Sequence, residues 1–395
     1  MKPVLFVTGN APAYRIGAFA RLHEREGIEV ALFGGRSKHG GAAFTDELPF
    51  PHRHVRQHEP AALAASGSYR AVVCSTGGRV ALPAAWAGTR RAGVPLILWS
   101  SLWAHPRSPA HAASYLALRW GLYRNAEAIV TYGPHVSAYV RARGARNVHE
   151  APQAVDNAFW SAPAPAIASA SATAPASTTA PASVARWPAE VSGWPTEVSG
   201  WPAETSAKFL FAGRPVREKG LGTLIEAWRA SGLQAPSAAL VLAGVGSLPH
   251  WIPAGGAAGS PREPICLGPV ARAELRNLYA EADVLVLPSI ATRTFREPWG
   301  LVINEAMNQG TAVIASDAVG AAAGGLVRDG HNGLIVPAGD STALAGAMTR
   351  LAANTDLRAR LGRAGAEDVR AYSYEAWAEG FSRALSTVGL SRTDR

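Results

Sequence analysis

The sequence predicts an α/β protein made of two doubly wound parallel-sheet domains, and three observations carry that prediction. Short apolar runs that end in a turn alternate with helical segments in both halves of the chain. With 395 residues, 48% of them hydrophobic, the chain suits two domains of roughly 150–190 residues, each able to bury its own core. Between the halves lies a stretch that is nearly all Ala, Ser, Pro and Thr. Such a composition cannot bury enough apolar area to offset the entropy of ordering it.

Residues 1–160 form the first predicted domain. Met1 to Gly9 contains a four-residue apolar core and reads as a buried strand ending in a Gly turn. It is too short for a signal peptide or a membrane helix. A helix follows over Ile16–Arg25, and the runs Ile28–Phe33, Ala71–Ser75, Pro95–Trp99 and Ala128–Thr131 read as parallel-sheet strands. Residues 161–207 read as a flexible linker or insertion. They include three short repeats opened by Trp187-Pro, Trp194-Pro and Trp201-Pro, and a Pro in each copy rules out a coiled coil. The other reading is that these tryptophans dock on a sheet edge or a partner.

Residues 208–373 form the second predicted domain. Phe209-Leu-Phe-Ala212 is a short strand, followed by Gly213, Arg214 and Lys219 and then a helix from Leu221 to Ala230. Val284–Pro288 is a second buried strand. Beyond it stands Glu297, and Glu305 lies eight residues later in a helix opened by Gly300-Leu301-Val302. In open α/β sheets, ligands bind beyond the carboxyl ends of the strands. A helix start there offers free N–H groups and a positive dipole end to phosphate. Carboxylates accept strong hydrogen bonds from sugar hydroxyls, and two cations suit a diphosphate leaving group where no metal neutralises it.

This ordered set, Gly213-Arg214…Lys219-Gly220 followed by Glu297 and Glu305, resembles the family-4 retaining glycosyltransferases of the GT-B fold. Val241–Ser247, Leu267-Gly268-Pro-Val270, Leu278–Asp283, Ala312–Asp317 and Asp329–Pro337 extend the resemblance, which is strong over 208–372 and weaker over 1–160. It implies two Rossmann-like domains facing a cleft, with a helix at 374–390 crossing back onto the first domain. Arg214 and Lys219 would bind the donor diphosphate and stabilise the leaving group. Glu297 would hold hydroxyls of the donor sugar, and the backbone of Gly300 and Leu301 would approach sugar and phosphate. Glu305 would grip the ribose, while Gly213, Gly268 and Val270 would line the donor side.

The first half departs from the family pattern. The glycine-rich loop expected to face the donor is here Gly9-Asn10-Ala-Pro-Ala-Tyr14-Arg15. Tyr14 and Arg15 fall on the acceptor side, with Arg15 expected as an exposed loop cation. Many relatives carry a His just after the strand matching Pro95–Trp99. This chain reads Trp99-Ser100-Ser101-Leu-Trp103-Ala-His105, so either His105 reaches in from further along or that role is missing.

Taken together, these readings lead to the expectation of a retaining transferase that moves a sugar from a nucleoside-diphosphate donor, with UDP favoured over GDP. The expected acceptor is a cell-envelope glycan or lipid-linked sugar. The alternatives are a soluble enzyme acting on a small metabolite and a non-catalytic sugar-nucleotide-binding scaffold. No metal is expected, since no zinc-ligand spacing or Asp-x-Asp occurs, and neither another cofactor nor a nucleic-acid partner is expected. Cys74 and Cys266 lie in apolar runs of different halves and read as buried free thiols. Residues 1–160 carry 18 Lys+Arg against 9 Asp+Glu, a net +9 that equals the charge of the whole chain. Arg36, Lys38, Arg53 and Arg56 cluster there with His39, His52, His54 and His58. A basic first domain suits the anionic inner face of a membrane, so the expected location is cytoplasmic, with possible peripheral attachment.

Overall fold

The computed structural model describes residues 1–34, 48–105, 108, 115–163, 201–202, 204–253 and 263–392. Of the basic cluster, Arg36, Lys38 and His39 lie outside these residues, as do Trp187 and Trp194. The first sheet has strands β1 (Val4–Thr8), β2 (Ile28–Leu32), β3 (His52–His54), β4 (Ala71–Ser75), β5 (Leu96–Ser100), β6 (Ala128–Thr131) and β7 (Val148–Glu150). Their order is β3-β2-β1-β4-β5-β6-β7 and every pairing is parallel. The second sheet comprises β8 (Lys208–Ala212), β9 (Ala239–Ala243), β10 (Ile265–Cys266), β11 (Val284–Leu287), β12 (Ala312–Ser316) and β13 (Leu334–Val336). It runs β10-β9-β8-β11-β12-β13, again all parallel.

Helices cover both faces of each sheet, so the central strands are buried throughout, as the uninterrupted apolar runs require. Each sheet reverses its winding once, between β1 and β4 and between β8 and β11. These switch points, where successive crossovers leave in opposite directions, open a crevice at the carboxyl ends of the strands. Both predicted sites fall at these two positions.

β3 and β7 escape a reading of the sequence because each is a three-residue edge strand without an apolar run. In β3, Arg53 pairs with Glu29 of the neighbouring strand, so part of the basic cluster is neutralised within the sheet.

The helix Tyr374–Ser386 lies on the first domain. Its Trp377 and Phe381 sit in a ring cluster with Phe6, Phe19 and Trp99 at centroid distances of 4.5–6.4 Å. Two tryptophans flanking the low-complexity stretch pack on the second domain. Trp160 is 3% exposed and meets Tyr279 edge-on at 5.7 Å. Trp201, expected within the linker, is also 3% exposed and its Nε1 donates to the carbonyl of Phe209 in β8 at 3.3 Å. Cys74 is a buried thiol whose pKa burial pushes up, and Cys266 is half-buried; neither forms a disulfide.

Candidate functional site

At the β8/β11 switch point the chain leaves β8 through Gly213 and Arg214 and tightens into a single turn, Arg217–Lys219. Gly220 ends the turn at φ +72°, where a Cβ would stand 1.9 Å from the carbonyl oxygen of Pro288. Only glycine lets this turn lie flat against the end of β11. Lys219 is thereby held over the loop that follows β11. Its Nζ meets Glu297 Oε2 at 2.6 Å, and Ser289 Oγ donates to the same oxygen at 3.2 Å. The two charged side chains, 78 residues apart in sequence, are 18% and 9% exposed. Arg214 is exposed at the mouth and makes no ion pair among the described residues.

The Glu297 loop is fixed from both domains. Its backbone bridges Val319, and its carbonyl accepts from Gly320 N at 3.1 Å. The first domain supplies two aromatic side chains. Trp103 Nε1 donates to the Glu297 carbonyl at 3.0 Å, and His135 Nε2 lies 3.2 Å from the Pro298 carbonyl. A carbonyl only accepts, so Nε2 carries the proton and Nδ1 is bare. Burial pushes the pKa of His135 down to about 4, which keeps the ring neutral at pH 7. The Arg296 guanidinium stacks 3.7 Å from the Trp103 ring centre.

Gly300 starts the next turn at φ +96°, with Leu287 and Val319 so close that a Cβ would lie 2.6 and 3.1 Å from them. Leu301 caps the helix Val302–Asn308 without a side-chain acceptor, so the first N–H groups lack a side-chain cap. Glu305 lies one turn in, half-buried, and accepts from Tyr279 OH at 2.9 Å. Burial raises its pKa to about 7, against the pull of the Tyr279 hydrogen bond and of Arg272. Its neighbour Asn304 is fully buried. It accepts from Trp299 Nε1 at 2.8 Å and donates to the Gln153 carbonyl at 3.0 Å, which joins this helix to the segment leading out of the first domain. Gly268 sits at φ +62° and its carbonyl accepts from Gly244 N at 2.6 Å, beside the end of β9. Half-exposed Val270 packs on the same core.

The first domain presents an open recess of ≈ 170 Å³ at its own switch point, between the ends of β1 and β4. Asn10, Tyr14 and Arg15 line it, and Gly9, just before Asn10, accepts from Gly34 N at 2.6 Å. Tyr14 is 42% exposed. Arg15 is not the exposed loop cation expected from sequence. It falls in the first turn of the helix Ala13–Glu26 and is 5% exposed. His105 packs its ring on Tyr115 at 4.4 Å, whereas Trp103 is the residue of that segment that reaches the Glu297 loop.

The structure thus joins Lys219 to Glu297 and holds Glu305 on a separate partner. Several contributors escape a reading of the sequence: Trp103, His135, Ser289, Tyr279, Asn304 and Gln153. His135 had a signal, since Gly133-Pro134-His135 is a turn and helix start directly after β6. The others are single residues that no motif marks, and Trp103, Gln153 and Tyr279 meet partners 194, 138 and 26 residues away.

Residues 198–368 match the family described as glycosyl transferases group 1. A phosphatidyl-myo-inositol mannosyltransferase of Mycobacterium leprae (strain TN) is 42% identical over 125 residues, 32% of this chain and 32% of that protein. A D-inositol 3-phosphate glycosyltransferase of Streptomyces bingchenggensis (strain BCW-1) is 37% identical over 110 residues, 27% of this chain and 22% of that protein. The chain therefore spans about a third or less of the curated relatives it matches. Two solved structures align over nearly the whole chain. Alr3699/HepE of Anabaena, in complex with UDP and glucose, has a TM-score of 0.68 at 16% identity, covering 98% of this chain and 100% of that one. Sucrose-phosphate synthase from Thermosynechococcus elongatus has a TM-score of 0.69 at 20% identity, covering 98% and 99%. The fold is GT-B, two parallel-sheet α/β domains.

Proposed function

We propose that this protein is a retaining glycosyltransferase of the family-4 kind. It moves a sugar from a nucleoside-diphosphate donor to a hydroxyl of a glycan, a lipid-linked sugar or a small metabolite. The observation that carries this reading is the Lys219–Glu297 pair at the β8/β11 switch point, with Glu305 on the helix beyond it. The family match over 198–368 and the UDP named for a solved structure of the same fold support it and favour UDP over GDP.

In this reading Lys219 and Arg214 face the diphosphate, so that charge building on the leaving group meets cations already in place. No metal or other cofactor is assigned a role. Glu297, held by Lys219, Ser289 and Trp103, takes hydroxyls of the donor sugar. The backbone of Gly300 and Leu301 approaches the sugar and phosphate, Glu305 accepts from the ribose hydroxyls, and Gly213, Gly268 and Val270 border the nucleotide. Gly9 and Asn10 face the donor from the opposite domain, with Tyr14 and Arg15 on the acceptor. His105 has no assigned role. The bond from the anomeric carbon to the diphosphate breaks while the bond to the acceptor oxygen forms on the same face. The acceptor proton passes to the leaving phosphate oxygen.

The basic first domain suits attachment to an anionic membrane face, and among the described residues no helix is long and apolar enough to cross a membrane. Thermal-shift titration with UDP, GDP and ADP, followed by a search for slow hydrolysis of the corresponding sugar donors, tests the reading. UDP should stabilise the fold most, because a ligand that binds only the folded state raises its stability by mass action. No stabilisation by any nucleoside diphosphate sinks the proposal, and binding without hydrolysis or transfer reduces it to a sugar-nucleotide-binding protein.

A further inference from the structure

Arg15 is a buried cation that makes no ion pair among the described residues. Four aromatic rings surround its guanidinium, those of Trp99, Tyr14, Tyr132 and Trp377 at 4.9–5.8 Å from the centroids. Its hydrogen bonds within the described residues all come from Nη2, to Gln153 Oε1 at 2.7 Å and to Tyr132 OH at 3.4 Å, and both acceptors are neutral. Nε and Nη1 carry no such bond. A buried charge is costly unless it is paired, and cation–π contacts offset only part of that cost. Elsewhere in this domain the rule is kept, since buried Arg70 meets buried Glu26 at 2.8 Å.

Among the described residues, the wall of the recess that Arg15 lines holds no acidic side chain. Its polar lining is Thr8, Asn10, Ser75, Thr76, Ser101 and the Tyr132 phenol. The helix Ala13–Glu26 also begins there, with Pro12 at its cap and no side chain accepting from its first N–H groups. An uncapped helix start, a planar guanidinium fork and a ring of hydroxyls together form a donor array for an anion with several oxygens. The volume, ≈ 170 Å³, is well above what a single water needs and leaves room for a phosphate and part of what bears it.

We infer that this recess binds a phosphate group carried by the acceptor, with Arg15 as its counterion. The inference rests on the glycosyltransferase reading for the word acceptor alone. Ser101 in its wall is two residues before Trp103, which donates to the Glu297 carbonyl, so one segment of the first domain serves both the recess and the Glu297 loop.

The test uses the full chain carrying Arg214→Ala and Lys219→Ala, so that the proposed donor cations cannot bind the probe. Inorganic phosphate and glycerol 3-phosphate are titrated at constant ionic strength, with glycerol as the neutral control, and tryptophan fluorescence is followed because Trp99 lines the recess. Saturable binding of both phosphates but not glycerol is expected, weakened at least tenfold by Arg15→Gln and less by Arg15→Lys. Should Arg15→Gln lose its cooperative melt, Ser101→Asp leaves Arg15 in place and supplies an internal anion, which should abolish phosphate binding. Absence of saturable binding, or binding unchanged in these variants, overturns the inference. So does competition between phosphate and UDP in the unsubstituted protein that Arg15→Gln removes, since Arg15 would then serve the donor. Failure of UDP to bind at all overturns the glycosyltransferase reading and leaves the phosphate titration standing. Vesicles of phosphatidylcholine with and without phosphatidic acid separate the sources. Arg15-dependent sedimentation with the anionic vesicles identifies a lipid phosphate, and binding of glycerol 3-phosphate alone identifies a soluble one. Either outcome supports the inference.

Discussion

The two switch points of this molecule solve the problem of charge in opposite ways. At the β8/β11 edge the cation and the carboxylate satisfy each other, Lys219 against Glu297 at 2.6 Å, and a second carboxylate, Glu305, is held beside a phenol with its pKa raised to about 7. At the β1/β4 edge Arg15 is buried among aromatic rings and neutral acceptors, with no anion in the recess wall among the described residues. At the first edge Lys219 has its counterion built in, and at the second, among the described residues, Arg15 lacks one. A ligand entering the first must exchange with an existing partner; a ligand entering the second completes an unfinished pair. Substitutions should therefore behave differently on the two sides.

A large loss of turnover is expected from Lys219→Ala, which removes the cation proposed to meet the leaving diphosphate and leaves the Glu297 carboxylate, among the described residues, with Ser289. Turnover at saturating donor should fall by about 10²–10³-fold, the usual loss when one preorganised electrostatic contact to a transition state is deleted. Single-turnover rates decide it. An unchanged rate with weaker donor binding would make the pair a ground-state grip and erase the difference between the two edges.

Glu305→Ala should weaken binding of the free nucleoside diphosphate by about 1.5–3 kcal/mol, the value of a hydrogen bond to a charged group. Glu297→Ala should spare it, or tighten it as Lys219 is released, while abolishing transfer. Calorimetric titration of both variants with UDP separates the two carboxylates, and equal losses would remove the division between them.

The raised pKa of Glu305 gives a pH dependence of defined sign. The free protein holds this proton up to about pH 7, while a carboxylate accepting from ribose must be ionised, so nucleotide binding releases a proton. Affinity should fall by up to about tenfold per pH unit below 7, and calorimetry in buffers of different ionisation enthalpy would show the release. Linkage to folding runs the same way. Between the ordinary glutamate pKa and about 7 the folded state binds more protons than the unfolded chain, so this group's contribution to stability declines as pH rises. Glu305→Gln should flatten both profiles. A wild-type affinity that stays level from pH 6 to 8 would contradict the assignment.

The smallest effect is expected across the cleft. Trp103→Phe keeps the ring and removes one hydrogen bond to the Glu297 carbonyl, worth about 1 kcal/mol. Turnover should drop roughly fivefold with nucleotide affinity unchanged, because the indole positions the sugar-facing loop and not the base. A loss confined to thermal stability would assign Trp103 to domain packing alone.

The two sides also differ in how far the sequence discloses them. Arg214, Lys219, Glu297 and Glu305 follow strands and helix starts whose apolar runs are plain, so their place at the sheet edge is fixed by local periodicity. Arg15 has the same local signature as a solvated loop cation. Only the packing of Trp99 from β5, Tyr132 after β6 and Trp377 from the last helix makes it a buried one. Trp201 is a similar case, since its repeat reads as polar linker until the carbonyl of Phe209 and the second-domain core receive it.

The sequence alone determined the parallel α/β architecture, because burial on both faces of a sheet demands continuous apolar strands and winding demands helices between them. It also placed the charges of the second domain at the sheet edge, since residues just beyond a strand must lie at its carboxyl end. Tertiary structure alone decided which charges became partners and which, among the described residues, was left without one. Pairing depends on contacts between segments 78 residues apart for Lys219 and Glu297, and 138 apart for Arg15 and Gln153. No local pattern encodes such separations, because the energy of a charge is set by what surrounds it and not by its neighbours in the chain.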